Sequence, residues 1–377
     1  MTTDLVTDHF KSREVTIVEL IREIVDIESP SGDAERSREV VSWVESEFRK
    51  TGVEIKVERI AESEYGEHLV IRAFPGEAKP VLLLGHTDTV HPVGTQLQNA
   101  TRIDDDKFFG CGIFDMKANI VLMIEAFRYF AANGITPARP INILLSCDEE
   151  VGSHTGRAVV EREAVIADRC YVFEPSFFGK VKTGRKGTGM YVVKAHGIPS
   201  HAGLDPEKGA SAILEIARQI ERLHQLNDLS LGTTVNVCTA EGGTTGNVIP
   251  EHAEFSVDVR FTTQAEAERI DTAIRTITPF DERVTLSVSG GINRPPMERT
   301  AAVISLFEEA KATAASLGFE LGETQVGGAS DGNFVGALGI PVLDGLGIAG
   351  DGAHTLHEHI LVSDIANRAA LVTMLLT

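Results

Sequence analysis

The chain of 377 residues has few cysteines, and no two of them form a Cys-x-x-Cys pair. Cys111, Cys147, Cys170 and Cys238 are widely spaced, which favours reduced thiols over a disulfide framework. No apolar run approaches the roughly 20 residues that a membrane-spanning helix needs. The first residues also lack the basic and apolar segments of a secretory signal. We therefore expect a cytoplasmic protein with no membrane partner.

Positive charge is also scarce, because 35 Lys and Arg stand against 55 Asp and Glu and give a formal net charge of -20. A surface of this sign repels nucleic acid and anionic membranes, so we expect neither as a partner. A small anionic substrate stays compatible with this balance if a few arginines lie at its site. The length itself favours two domains, since it exceeds what one ordinary core requires.

Apolar segments that alternate with amphipathic ones predict an α/β fold. Branched apolar runs near 80–85, 141–146 and 169–173 predict buried strands. The segments 15–27 and 115–134 predict helices, the second of them apolar on nearly all faces. Strands and helices in alternation imply a mostly parallel sheet with helices on both faces.

The pattern changes after residue 184. From 190 to 289 the order strand, helix, strand, strand, helix, strand predicts a compact α+β, ferredoxin-like unit that can fold on its own. After 290 the α/β pattern returns. We therefore predict a discontinuous first domain at 1–184 and 291–377, with a second domain inserted at 185–290.

Five stretches with imidazole or carboxylate groups follow predicted strands or lie in loops. They are His86-Thr87-Asp88, Asp115, Asp148-Glu149-Glu150, Glu174-Pro175 and the segment 354–359, which has three histidines. Carboxylates and histidines that converge on one sheet edge repel each other unless cations neutralise them. If these groups do converge, we therefore expect them to bind metal. Two divalent ions that share one bridging carboxylate would balance this charge.

The residue types also suggest separate roles. His86 followed by Asp88 suits a ligand imidazole whose tautomer is fixed by a carboxylate. Adjacent Glu149 and Glu150 point to opposite sides of an extended chain, so one can bind a metal while the other faces the bound water. Taken alone, Asp115 also fits a helix cap, and the acids at 148–150 also fit a solvated loop.

In this order the motifs resemble the di-zinc aminoacylase and carboxypeptidase superfamily, which includes the acetylornithine deacetylases and succinyl-diaminopimelate desuccinylases. The resemblance is carried by the stretches above together with Gly110-Cys111-Gly112, Asp115-Met116-Lys117, Gly152-Ser153 and Ser200-His201-Ala202-Gly203. The runs 200–209, Asn247-Val248-Ile249-Pro250, Asp258-Val259-Arg260 and 327–331 resemble the bacterial glutamate carboxypeptidases most.

The resemblance implies two Zn²⁺ ions, with Co²⁺ or Mn²⁺ as alternatives. The implied ligands are a bridging Asp115, then His86 and Glu174 at one ion, and Glu150 and His354 at the other. His354 is preferred to His357 because the family's last ligand shortly precedes a glutamate, as His354 precedes Glu358. Three nearby histidines keep His357 open as the alternative.

The resemblance also implies the catalytic groups. Glu149 would be the general base, and Asp88 would support His86. The inserted domain would be the family's lid, which usually also forms the homodimer. Its His201 would reach the partner's active site and stabilise the oxyanion.

An arginine is our first candidate for holding the substrate carboxylate. Arg294 follows a glycine pair, and its planar guanidinium matches a planar anion. Asn247 and Arg260 would assist, although Arg260 also fits a simple pair with a neighbouring acid. Gly328 and Ser330 lie in a turn that could donate backbone N–H groups to an anion.

The implied activity is zinc-dependent hydrolysis of an amide bond, with release of a C-terminal amino acid. Glutamate is the expected product, from a small peptide or N-acyl amino acid. Within the family, the alternative is an N-acyl amino acid deacylase of the acetylornithine or succinyl-diaminopimelate type. A non-catalytic, metal-dependent binding protein on the same fold is the alternative of another class, which intact Glu149, Asp88 and His201 disfavour.

Overall fold

The computed structural model describes residues 3–377, which divide into two compact units. The first unit runs to Gly184 and continues at Arg299–Val326 and Ser330–Thr377. The second comprises Arg185–Glu298 and Gly327–Ala329. The second unit thus extends beyond the boundary at 290 that we predict from sequence, because its last strand continues through that position to Arg294.

Ten α-helices lie within residues 3–377. In chain order they are α1 (Thr3–Ser12), α2 (Glu14–Asp26), α3 (Ala34–Lys50), α4 (Ala118–Asn133), α5 (Gly156–Ala164), α6 (Ala212–His224), α7 (Gln264–Arg275), α8 (Ala301–Ser316), α9 (Gly332–Ala337) and α10 (Val362–Leu375). Gly134, at a left-handed φ of 63°, ends α4 as a glycine C-cap. Among the described residues, none of these helices combines the length and apolarity needed to cross a membrane.

The same part of the chain contains eighteen strands, several of them only two residues long. They are β1 (Ile55–Glu62), β2 (Gly66–Ala73), β3 (Val81–His86), β4 (Arg102–Asp104), β5 (Lys107–Phe109), β6 (Ile141–Ser146), β7 (Arg169–Val172), β8 (Val181–Arg185), β9 (Gly187–His196), β10 (Ser200–His201), β11 (Thr234–Gly242), β12 (Val248–Ile249), β13 (His252–Phe261), β14 (Thr285–Arg294), β15 (Glu323–Val326), β16 (Val342–Leu343), β17 (Gly350–Asp351) and β18 (His359–Leu361).

The main sheet of the first unit has the strand order β1-β2-β6-β3-β7-β16. Strand β3 is parallel to β6 and β7, β16 is parallel to β7, and β1 and β2 form an antiparallel edge. The predicted α/β class is confirmed. Because β3, β6 and β7 are parallel, their carboxyl ends lie at one edge of the sheet, where chemistry is commonly placed in such folds.

Helices pack against the central strands of the sheet. Leu83 of β3 belongs to the large core cluster that includes Phe127 of α4, and α4 packs against α2, α3 and α10. Helix α5 contacts β6, and helix α9 contacts β7. Every residue of β3 and β6 is buried, so these strands are long apolar runs rather than alternating ones.

The second unit is built on an antiparallel sheet of order β11-β13-β9-β14. Helix α6 packs against β9, β11 and β13, and α7 packs against β13 and β14. Strands β9 and β13 alternate between buried and accessible residues, as expected for a sheet with one face on a core. Helix α6 begins at Ala212, where Ser211 caps it by accepting a hydrogen bond from the Leu214 N–H.

Candidate metal centre

His86 ends β3 and is buried beneath three acidic residues. Its Nδ1–H donates to the backbone carbonyl of Asp88 at 2.9 Å, and the nearer Asp88 carboxylate oxygen is 3.4 Å away. Its Nε2 lies 3.2 Å from Asp115 Oδ1 and 3.5 Å from Glu174 Oε1. The contact with Asp88 holds the ring so that Nε2 faces the acidic cluster.

The Asp88 carboxylate holds the turn that carries the two adjacent glutamates. It accepts hydrogen bonds from the backbone N–H groups of Glu149 at 3.2 Å and Glu150 at 3.1 Å, and from the Ser31 hydroxyl at 2.6 Å. Burial alone would raise the pKa of Asp88, but its contacts with His86 and these donors lower it. Asp88 therefore positions Glu149 and Glu150 as well as His86.

Asp115 lies in a distorted turn, Ile113–Lys117, before α4 begins at Ala118. Its backbone angles, φ -117° and ψ 91°, are not helical, so it does not cap the helix in the ordinary way. One carboxylate oxygen faces His86, and the other lies 3.4 Å from His354 Nε2. Burial would raise the pKa of Asp115, whereas hydrogen bonds from these two histidines hold it far below its usual range.

Glu358 holds the backbone of this turn from the far end of the chain. Its buried carboxylate accepts from the N–H groups of Gly112 at 2.8 Å and of Phe114 and Asp115 at 2.9 Å, and it contacts His91 Nε2 at 2.6 Å. Gly112 needs its left-handed φ of 69°, and a Cβ there would lie 2.4 Å from a Thr89 methyl group. In the sequence Glu358 marks only the spacing that favours His354, and no local pattern indicates this supporting role.

His354 rather than His357 faces the acids. His354 Nε2 lies 3.0 Å from Glu150 Oε2, and the residue adopts a left-handed φ of 65°. Hydrogen bonds with Asp115 and Glu150 raise the pKa of His354 to about 10. His357 is exposed, and its backbone carbonyl accepts a hydrogen bond from the His359 imidazole.

The five predicted ligands thus come together in the first unit. One atom each of His86, Asp115 and Glu150 lie within 4.8 Å of one another, and the same holds for His86, Glu149 and Glu174. Within the described residues, Glu150 Oε1 is buried without a hydrogen-bond partner. Such an oxygen is costly unless a cation compensates it, and imidazole with carboxylate is a donor set that suits zinc. The residues present therefore fit a divalent metal centre.

The raised pKa of Glu150 also indicates that a positive charge is favoured at this cluster. Burial, followed by the negative charge of Asp115, raises it to about 7 against the opposing effect of His354. Burial would lower the pKa of His86, but its hydrogen bonds to Asp115, Asp88 and Glu174 raise it well above its ordinary value. A metal ion at this cluster would compete with protons for the same side chains.

The other acid of the 148–150 stretch has a structural role. Buried Asp148 accepts hydrogen bonds from the N–H and hydroxyl of Thr155, at 2.6 and 2.9 Å, and from the N–H of Gly156. These contacts anchor the start of α5. Glu149 begins a short 3₁₀ turn instead, and it is more accessible than Asp148.

The substrate role predicted for Ser330 is corrected. Its hydroxyl donates to Asp344 Oδ2 at 2.7 Å, and its backbone N–H donates to Asn333 Oδ1 at 2.9 Å. The residue is fully buried, so neither group is available to a substrate carboxylate. The next residue, Asp331, accepts from the Ser146 hydroxyl at 2.8 Å and from that of Ser153.

His201, in the second unit, has a defined tautomer. Its Nδ1 accepts from the backbone N–H groups of Gly203 at 3.2 Å and Leu204 at 3.1 Å. The proton of the neutral imidazole is therefore on Nε2. The backbone N–H of Ala202, the next residue, donates to the Asn247 carbonyl at 2.9 Å. This hydrogen bond joins the segment that contains His201 to the one that contains Asn247.

The remaining predicted substrate residues also lie in the second unit. Arg294 ends β14 and is 4% exposed. Arg260 pairs with Asp258 at 2.8 Å, the ordinary alternative noted for it. The Asn247 side chain accepts from Thr245, and the Gly328 carbonyl accepts from Arg185 at 3.2 Å.

His354→Ala is expected to lower the metal content of the purified protein and to slow the amide hydrolysis that the family resemblance implies by at least 10- to 100-fold, the range seen even for groups that only support a ligand. His357→Ala is the matched control and should leave both unchanged, because His357 does not face the acids. Elemental analysis with a rate assay makes the comparison. Metal loss in the His357 variant alone would reverse the assignment.

Comparison with known proteins places this geometry in a family context. The profile of peptidase family M20/M25/M40 matches residues 82–377. Carboxypeptidase G2 from Pseudomonas sp. (strain RS-16) is 28% identical over 371 residues, which cover 96% of this chain and 88% of that protein. Succinyl-diaminopimelate desuccinylase from Stutzerimonas stutzeri (strain A1501) is 32% identical over 316 residues, covering 78% of this chain and 81% of that protein.

A solved structure supports the fold. Aminopeptidase PepT from Bacillus cereus ATCC 10987 superposes with a TM-score of 0.79 and covers 96% of this chain and 98% of that one. At 24% sequence identity, this likeness concerns the fold alone.

Proposed function

The chain belongs to peptidase family M20/M25/M40, and on that premise we propose that it is a di-zinc carboxypeptidase that releases a C-terminal glutamate from a peptide or N-acyl amino acid. Membership confirms the predicted superfamily and the predicted enzyme class, a metallopeptidase or amidohydrolase, and the family is metal-dependent. The observation that carries the proposal is the cluster around Asp115, with the buried, unpartnered Glu150 oxygen.

The ligands divide around one carboxylate. The two oxygens of Asp115 face different histidines, which supports a bridging role. His86 and Glu174 would complete one zinc site, and Glu150 and His354 the other. Zinc in such a site lowers the pKa of a bound water towards neutrality and polarises a carbonyl group.

Glu149 would accept the proton of the attacking water and return it to the leaving amine. This role needs a carboxylate beside the metal centre but not spent on it, and general-base catalysis of this kind contributes about 10²–10⁴-fold. The hydrogen bond from the Glu149 N–H to Asp88 supports the assignment, because it holds the turn beside His86.

His201 would donate its Nε2 proton to the oxyanion. Removal of one such donor commonly costs about 3–4 kcal/mol. The N–H groups of Gly203 and Leu204 leave Nε2 as the protonated nitrogen, as this role requires. We also propose that the second unit forms a homodimer in which His201 serves the other subunit, and that the protein is cytoplasmic.

Arg294 would hold the substrate carboxylate, assisted by Asn247 and Gly328. In a chain of net charge -20, an anionic substrate needs such a local cation, and a largely buried guanidinium is weakly screened. Arg260 is a weaker candidate, since its guanidinium is already paired with Asp258.

A deacylase is the second candidate, because several relatives are named succinyl-diaminopimelate desuccinylase at 25–32% identity. Amine release from an N-acyl glutamate, a glutamate-terminated dipeptide, N-acetylornithine and succinyl-diaminopimelate separates the two. We expect the glutamate substrates to be cleaved fastest. Fastest cleavage of either of the other two supports the deacylase, and a metal-loaded protein inert on the whole panel contradicts both.

Arg294→Ala is expected to lower kcat/KM for glutamate-terminated substrates by about 10- to 100-fold relative to a dipeptide ending in an amide, since hydrogen bonds to charged groups contribute about 1.5–3 kcal/mol. The ratio between the two substrates is the readout, because partial unfolding lowers both rates alike. Arg283→Ala, an exposed arginine of the same unit, is the control. An unchanged ratio in the Arg294 variant would remove the main support for glutamate.

A further inference from the structure

A second cluster of metal-type ligands lies at one end of the four-stranded sheet of the second unit. His196 ends β9 and His252 begins β13, and the two face each other directly in the antiparallel ladder. Glu251 precedes His252, and its carbonyl accepts a hydrogen bond from the Gly197 N–H at 2.7 Å. The backbone of β9 and β13 thus fixes the spacing of all three residues.

The two imidazoles already stand at the separation of metal ligands. Their Nδ1 atoms are 3.2 Å apart, and their ring centroids are 4.7 Å apart. Two nitrogens bound to one tetrahedral zinc, at bonds of about 2.0–2.1 Å, lie about 3.3 Å from each other. Without a cation, one of the two facing nitrogens must carry a proton to avoid an unfavourable contact between lone pairs.

Glu251 supplies a third ligand and a negative charge. Its two oxygens lie 3.6 Å from His196 Nε2 and 3.7 Å from His252 Nε2. One atom from each of the three side chains lies within 4.8 Å of the other two. The side chains are 58%, 71% and 40% exposed for His196, His252 and Glu251, so they can close on an ion without disturbing the core.

Neighbouring charges favour a cation at this place. Glu254, the next residue on this face of β13, lies opposite Glu241 of β11. Lys194 of β9 pairs with Glu254 at 2.7 Å. Two acids against one lysine leave the surroundings of the histidine pair negative, apart from Glu251 itself.

We propose that His196, His252 and Glu251 form a surface site for one divalent transition-metal ion. Two imidazoles with one carboxylate select Zn²⁺, Cu²⁺ or Ni²⁺ over Mg²⁺ and Ca²⁺, which prefer all-oxygen sites. Three protein ligands leave a position for water. The ion links the ends of β9 and β13, and all of its ligands belong to the second unit, whereas the ligands proposed around Asp115 belong to the first.

Copper titration of the full-length, zinc-loaded protein tests the site. We expect Cu²⁺ to bind with an electron paramagnetic resonance spectrum that shows nitrogen coupling from two imidazoles. The double variant His196→Ala/His252→Ala should bind this copper at least 10-fold more weakly, and excess Mg²⁺ should not displace it from the wild type. His224→Ala is the matched control, because this histidine ends α6 in the same unit and is exposed.

Three results would overturn the proposal. They are an absence of copper binding in the wild-type protein, an unchanged two-nitrogen spectrum in the double variant, and an equal loss in the His224 variant. Glu251→Gln separates the third ligand from the histidine pair. It should weaken copper binding while keeping the coupling to two nitrogens, and unaltered affinity would exclude Glu251 as a ligand.

Discussion

Glu149→Gln is expected to keep the metal content of the wild-type protein while its kcat falls by about 10²–10⁴-fold. The amide has the size of the carboxylate but does not accept a proton. The substitution leaves the backbone N–H of residue 149 in place, and this group donates to Asp88 over 3.2 Å in the wild type. The turn should therefore keep its shape. Elemental analysis and a steady-state amide hydrolysis assay on one preparation measure both quantities.

This variant also separates two readings of the geometry. Glu149 lies near His86 and Glu174, so its carboxylate is also placed to bind the metal. Loss of metal in Glu149→Gln would favour that reading, and full activity would exclude Glu149 as the base. Glu161→Gln, at a half-buried residue of α5 that pairs with Arg157, is the control for the loss of one carboxylate.

Asp115→Ala is expected to remove most of the bound metal and to lower activity by about 10²–10⁴-fold. Loss of a group that only supports a ligand costs about 10- to 100-fold in metal affinity or activity. Here each of two ions would lose a ligand, so we expect the two effects to multiply. The two oxygens of Asp115 contact His86 at 3.2 Å and His354 at 3.4 Å, so its loss removes one contact from each histidine.

The control for this variant is Asp104→Ala, in an exposed hairpin strand of the same unit. It should bind metal and turn over substrate as the wild type does. Circular dichroism checks that Asp115→Ala stays folded, which we expect because α4 packs through apolar residues. An Asp115 variant that is folded and still holds two ions would contradict the bridging role.

Local patterns in the sequence predict the central strands and the residues that follow them, whereas the ligand roles of Asp115 and His354 came from the family resemblance. Strands β3 and β6 are buried at every residue, and an unbroken apolar run is visible in the sequence without any knowledge of its neighbours. Parallel pairing then brings the residues that follow these strands to one edge, which joins His86 to Glu149 and Glu150. These steps need only periodicity and the geometry of parallel sheets.

Contacts between distant residues could not be predicted in the same way. Glu358 accepts a hydrogen bond from the N–H of Asp115, 243 positions earlier, and Ser31 donates to Asp88 across 57 positions. No periodic pattern marks either residue. Their roles depend on how loops pack, which the sequence of each loop does not encode alone.

The error at Ser330 has a physical origin. A Gly-Gly-Ala-Ser turn before a helix resembles an anion site, because such turns often have unpaired backbone N–H groups. Here Asn333 accepts from the Ser330 N–H, and Asp344 accepts from its hydroxyl. Both donors of Ser330 are therefore already bound by acceptors from later residues of the chain.

The central claim is that metal binds around Asp115, and anomalous X-ray diffraction at the zinc edge tests it most directly. In crystals of the zinc-loaded, active protein, we expect one peak between Asp115, His86 and Glu174, and a second between Asp115, Glu150 and His354. A map of active protein with no anomalous peak at coordination distance from Asp115 would contradict the claim.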